Sequence, residues 1–198
     1  MFECEPLFVS NLYYKHLDLN NDAIIADCLT VKEHDSGRFL SNSGGYQTNE
    51  LSFEFLNDNK CFNLIKLIES IEQSILDLPQ RLGFLCLDDV WININGKGNH
   101  NNQHSHPDCV MSGTYYVTDS NQNTGEIVFI REKVESLHNL SDSYDINFIH
   151  NPELCSSRPF GFPRGSLIIF PSHVQHRVDT NMTDDLRFSI SFNIVRRQ

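Results

Sequence analysis

The chain has 198 residues, 39% hydrophobic and 21% charged, enough for one domain with a real core and little room for a second. Its 26 acidic residues against 15 basic ones leave a formal net charge of −11, which repels a phosphate backbone and excludes nucleic acid as the expected partner. The six cysteines (Cys4, Cys28, Cys61, Cys86, Cys109, Cys155) share no zinc-knuckle or redox spacing. Reduced thiols, no basic leader and no apolar run of membrane length make a soluble, cytoplasmic protein without a membrane partner the expectation.

Along the chain, Pro6 to Val9 reads as a short opening strand. Asn20 to Lys32 carries Ile24, Ile25, Cys28, Leu29 and Val31 at helical spacing. Residues 41–45, Ser-Asn-Ser-Gly-Gly, read as a loop. A longer helix is expected from about Asn59 to Leu78, its stripe being Phe62, Leu64, Ile65, Ile68, Ile71, Ile75 and Leu76, with Pro79 ending it. After Gly83, strand-like runs follow at Leu85 to Asn95, Gly113 to Thr118, Glu126 to Ile130, Ser166 to Phe170 and Leu186 to Val195. Residues 131–160 interrupt them with a long polar stretch, a candidate lid. The pattern predicts one α+β domain over 1–198: a helical support over 1–83, and a β sandwich or barrel over 84–198.

The histidines carry the chemistry. His104 and His106 alternate across one residue, so on a strand both imidazoles share a face and reach one metal. His176 follows the strand Leu167-Ile168-Ile169-Phe170 on a short turn after Pro171, and Arg187 and Ser189 come after it on one face of the last strand. His16, His34, His100, His138, His150 and His173 have no such partners and read as ordinary surface or packing residues. No phosphate-binding glycine loop and no Ser-His-Asp order stands out.

Taken in order, Trp91-x-Asn93, Gly98, His104-x-His106-Pro107, Ser112-Gly113-x-Tyr115-Tyr116, Gly165-x-Leu167-x-x-Phe170-Pro171-Ser172, His176-x-Val178 and Arg187-x-Ser189-x-Ser191-Phe192-Asn193 resemble the 2-oxoglutarate/Fe(II)-dependent oxygenases. The likeness is greatest to a small oxygenase family of phages and marine bacteria, and residues 41–46 share it, so it spans nearly the whole chain. The resemblance implies a double-stranded β-helix (jelly-roll, cupin-like) carrying the N-terminal helices. It implies Fe(II) as metal, 2-oxoglutarate as cosubstrate, O2 as co-reactant, and hydroxylation of a small-molecule or peptidyl substrate as the default outcome. It allows a homodimer, and a host-cytoplasmic location if the protein is phage-encoded.

Carried onto this sequence, the metal ligands are His104, His106 and His176, and the cosubstrate contacts are Arg187, Ser189, Tyr116 and Asn93. A guanidinium fork suits the far carboxylate of 2-oxoglutarate. Relatives place a carboxylate where His106 stands; His106-Pro107-Asp108 offers a second register, with Asp108 as the other candidate ligand. A glycine six residues before the first metal histidine, here Gly98, favours His104 as that first ligand. Two other readings stand beside this one. A cupin-type metal enzyme without 2-oxoglutarate has the same opening, but lacks the following glutamate and has no use for Arg187. A non-catalytic β-helix binding module differs by holding no metal.

Overall fold

Two long strands with opposite characters on their two faces decide the architecture. In β11 (Arg187–Arg196), Phe188, Ile190, Phe192 and Ile194 alternate with Arg187, Ser189, Ser191 and Asn193. In β4 (Leu85–Asn95), Val90, Ile92 and Ile94 alternate with Trp91, Asn93 and Asn95. Side chains two apart share a face, so each strand turns its aliphatic set to one side and its polar set to the other. The computed structural model describes residues 10–79, 84–130 and 157–196.

The remaining elements in chain order are β1 (Tyr13–His16), α1 (Asn21–His34), β2 (Asn42–Ser43), β3 (Tyr46–Gln47), α2 (Phe53–Asp58), α3 (Phe62–Leu76), β5 (His100–His104), β6 (Met111–Tyr116), β7 (Ile127–Ile130), β8 (Ser157–Phe160), β9 (Ser166–Pro171) and β10 (Gln175–Val178). The strands form a six-stranded sheet in the order β1-β9-β6-β11-β4-β3 and a five-stranded sheet in the order β2-β5-β10-β7-β8. Every pairing is antiparallel. This is the expected double-stranded β-helix.

The main core lies between the helices and the outer face of the larger sheet. There Ile24, Cys28 and Val31 of α1 and Leu64, Leu67, Ile68, Ile71 and Ile75 of α3 meet Ile92, Ile190, Phe192 and Ile194. Burying each such side chain stabilises the fold by about 1.5–3 kcal/mol. A smaller cluster of Tyr116, Ile127, Phe162, Ile168 and Phe170 lies inside, between the sheets.

Several expectations meet corrections. The long helix begins at Phe62 rather than Asn59, because Lys60 takes a left-handed φ of 57° and breaks the path from α2. Its first N–H groups are capped from outside: buried Asp27 of α1 accepts from the amides of Asn63 (2.7 Å) and Leu64 (3.0 Å). Phe62 and Leu76, expected in the stripe, are exposed, since helical rotation puts them away from the Ile71 side. Residues 42–47 are not a plain loop: they hold two short strands, β2 pairing with β5 in the smaller sheet and β3 with β4 in the larger. The N-terminal part therefore supplies strands as well as helices. His176 lies on β10, not on a turn. The expected opening strand at 6–9 lies outside the described residues, as does most of the candidate lid; residues 157–160 of that stretch form β8.

Candidate functional site

The polar faces of β4 and β11 and the ends of β5 and β10 enclose one pocket. Its lining includes Trp91, Asn93, His104, His106, Tyr116, His176, Arg187 and Ser189, so every residue the sequence singled out except Asp108 is brought together there. His104 and His176 sit directly opposite each other in the β5–β10 ladder. Their ring centroids are 4.4 Å apart, and His106 stands 5.0 Å from His104 and 5.2 Å from His176. One nitrogen from each of the three lies within 4.8 Å of the others.

His106 does not reach the cluster by strand parity as expected. β5 ends at His104, and Pro107 lies just beyond. His106 is placed instead by its own amide, which donates to the Ser172 carbonyl at 3.0 Å, and by stacking on Trp91 at 5.8 Å. Asp108 occupies the following turn with a φ of 68°, is exposed, and contributes no atom to the cluster.

The outer hydrogen bonds decide which nitrogen each ring offers. Nδ1 of His104 lies 2.7 Å from the Asn102 carbonyl, and Nδ1 of His176 lies 3.0 Å from the Val174 carbonyl. A carbonyl can only accept, so both Nδ1 atoms carry the proton and both Nε2 lone pairs are free. Burial pushes His176 down to about 3, with His104 beside it adding to the effect. Burial, then His104, pushes His106 down to about 4, and burial also lowers His104. All three are neutral at neutral pH, the form a metal requires. Three neutral imidazole donors, two of them with tautomers fixed by backbone carbonyls, fit a first-row divalent ion, Fe(II) included.

Arg187 is the charged residue of the lining, and no carboxylate shares it. Its guanidinium is 3% exposed as a residue and is bracketed by backbone: Nη1 donates to the carbonyls of Thr124 (2.7 Å), Asp179 (3.2 Å) and Gly125 (3.4 Å). Its other N–H groups have no hydrogen-bond partner among the described residues. Burial brings it down to about 10, so it stays charged at neutral pH. Tyr116 is buried beside it, its phenol pushed up by burial. Tyr115 points the other way and donates to Asn21 at 2.8 Å. Asn93 donates to Ser191 (3.2 Å) and accepts from Asn42 (3.3 Å). Ser189 faces the pocket with its hydroxyl uncommitted among the described residues.

Sequence reasoning missed the bracket. A Cβ on Gly125 would collide with Arg187 Nη1 and with the Asp179 carbonyl, and its φ of 96° also suits glycine. The Thr124-Gly125 turn was its available signal.

A family described as "Putative 2OG-Fe(II) oxygenase" matches residues 89–193, which hold all of these pocket residues except Ser41. No curated protein matches the chain. Among solved structures, the chain is similar to the α-ketoglutarate-dependent epimerase SnoN from nogalamycin biosynthesis, at 12% identity and a TM-score of 0.65, covering 94% of this chain and 79% of that one. It is similar to HygX from Streptomyces hygroscopicus with nickel, 2-oxoglutarate and hygromycin B bound, at 9% identity and 0.63, covering 94% and 83%. It is also similar to a Pseudomonas putida prolyl-4-hydroxylase, at 14% identity and 0.61, covering 96% and 94%.

Proposed function

Because the chain belongs to the 2OG-Fe(II) oxygenase family, we propose that His104, His106 and His176 hold its iron and that Arg187, Ser189, Tyr116 and Asn93 receive its 2-oxoglutarate. The observation that carries this reading is the meeting, in one interior pocket, of three imidazoles with converging nitrogens and a buried arginine with open N–H groups. When bound, iron with 2-oxoglutarate and O2 supplies the oxidation of an unactivated carbon, 2-oxoglutarate leaving as succinate and carbon dioxide.

The chain's own part is orientation and exclusion of water. His104 and His176 present Nε2 from a rigid ladder pair. Arg187, held in plane by three carbonyls, offers its free fork to the carboxylate far from the metal. Ser189 adds a hydroxyl to the same end. The cosubstrate is a dianion, and a lining with one guanidinium and no carboxylate is matched to it. Trp91, Ile127, Phe170 and Val178 wall the pocket with apolar surface. His106, not Asp108, is the middle ligand in this reading. Hydroxylation of a small molecule or a peptidyl side chain is the reaction; hygromycin B in HygX and the name of the prolyl-4-hydroxylase represent the two substrate kinds among proteins of similar fold.

Substrate-independent turnover of 2-oxoglutarate to succinate tests it. His176→Ala takes succinate formation to background and removes metal binding. Arg187→Ala raises the 2-oxoglutarate concentration for half-maximal turnover by roughly 30-fold or more while metal affinity holds, as expected for truncating a buried charged hydrogen-bond partner. An Arg187→Ala protein with unchanged cosubstrate dependence sinks the clamp assignment.

A further inference from the structure

Among the described residues, two buried side-chain polar atoms have no hydrogen-bond partner: Nε of Arg38 and Oε1 of Gln47. Folded chains pair nearly all such atoms. The two residues are neighbours, since the Arg38 amide donates to the Gln47 carbonyl at 2.8 Å. One orphan is a donor and the other an acceptor. Arg38 forms no ion pair among the described residues; exposed Glu50 feels its charge without reaching it.

Both residues stand at the flank of the pocket. Gln47 is 2% exposed and is the direct partner of Asn93 in the β3–β4 ladder, so it shares the face that Asn93 turns to the pocket. The half-buried Arg38 holds its guanidinium 5.4 Å from the centre of the Trp91 ring. Trp91 in turn lines the pocket and stacks on His106 at 5.8 Å. Ser41, three residues after Arg38, lines the pocket as well. The backbone leading to Arg38 is held in place: Gly37, at a φ of 74°, donates its N–H to Asp35 Oδ1 at 2.8 Å and leaves no room for a Cβ against the Tyr46 ring.

On the reading of the pocket as an oxygenase site, we infer that Arg38 and Gln47 are specificity-determining residues that hold the head of the substrate: a carboxylate with an N–H on the adjacent carbon. A guanidinium presents Nε–H and Nη–H side by side, which fits the two oxygens of one carboxylate, and its charge favours that group over a neutral carbonyl. Gln47 Oε1 takes the neighbouring N–H. Two sources carry this head. In a free amino acid the nitrogen is an ammonium; at the last residue of a peptide it is an amide. Arg187 remains for the cosubstrate, so the two arginines divide two acids between them.

Trp91 is the one tryptophan of the chain, so its fluorescence reads the occupancy of Arg38. The full chain is titrated with free L-amino acids, with their N-acetyl forms as peptide ends, and with the methyl esters of both. At least one acid shifts Trp91 emission saturably, and its methyl ester does not. Arg38→Met weakens that binding about 30-fold or more, the scale for truncating one partner of a charged hydrogen-bonded pair. Arg187→Ala keeps it, which separates this site from that of the cosubstrate. Gln47→Leu weakens it less and does not lower the thermal midpoint of the ligand-free protein, because it removes an unpaired buried oxygen. A response to the free acids supports an amino acid as substrate, and a response to the N-acetyl forms supports a peptide end. No saturable response to any acid, an equal response to the esters, or wild-type affinity in Arg38→Met overturns the site. A lowered midpoint in Gln47→Leu overturns the part given to Gln47. Turnover is read apart: a chain that forms no succinate from 2-oxoglutarate overturns the metal and cosubstrate assignment, and Trp91 still decides the Arg38 site.

Discussion

The two faces of the six-stranded sheet are made by the same strands and perform different tasks. On β11 the helix side is Phe188, Ile190, Phe192 and Ile194, and the pocket side is Arg187, Ser189 and Ser191. The first set is apolar, closely packed and far from the chemistry. The second buries polar groups that the fold alone has no use for, and such groups are costly without partners. One strand thus couples a stability face to a function face at every step of its pleat, and substitutions on the two faces separate stability from activity.

The largest effect belongs to the helix side. Phe192 is fully buried, and its ring lies where a Cβ on Gly113 would collide with it. Phe192→Ala destabilises by about 3–5 kcal/mol, read by urea unfolding, while the folded fraction keeps its 2-oxoglutarate dependence. A change in that dependence breaks the separation of faces. Next comes the pocket side without touching a pocket side chain: Gly125→Ala displaces Arg187 from its carbonyl bracket. Turnover efficiency with 2-oxoglutarate falls on the order of 100-fold, the scale of a misplaced positioning group, with metal affinity unchanged.

The smallest effect lies at the segment before β2, which leads to Ser41 and Asn42. Asp35 accepts from Gly37 N (2.8 Å), Tyr46 Oη (3.0 Å) and both nitrogens of Asn49. Burial alone would raise its carboxyl, but hydrogen bonds from Asn49, Gly37 and Tyr46 outweigh that and hold it below the usual carboxylate range. Its folded value is depressed, so its stabilisation is present above the unfolded carboxylate value and lost as pH falls through the folded one. Protection of the Gly37 and Asn49 amides, measured against intrinsic exchange at each pH, falls on acidification in the wild type and stays flat in Asp35→Asn.

What could be read in the sequence followed the same division. β4 and β11 announced themselves because an aliphatic residue recurs at every second position. β5 and β10 did not: His-Asn-Asn-Gln-His and Gln-His-Arg-Val carry no apolar alternation, because much of what these strands carry lines the pocket or faces solvent. The three histidines and Arg187 were legible through residue type and order. Their supports were not, since Arg187 is held by carbonyls 62 and 63 residues away and His106 by the Ser172 carbonyl. A backbone carbonyl leaves no mark in a sequence, and a bulge at Asp88–Asp89 shows only when two strands are paired.

The face-to-face placement of His104 and His176 on β5 and β10 has a consequence for assembly. Their rings belong to segments 72 residues apart, yet one rung of the ladder sets their separation. A slip of one residue turns either ring to the opposite face and dissolves the pair. An ion captured between them acts as a rivet through two strands whose ladder shifts register just beyond that rung. On the proposed ligand set, iron loading reports closure of the smaller sheet, because both ligands come from one rung of its ladder.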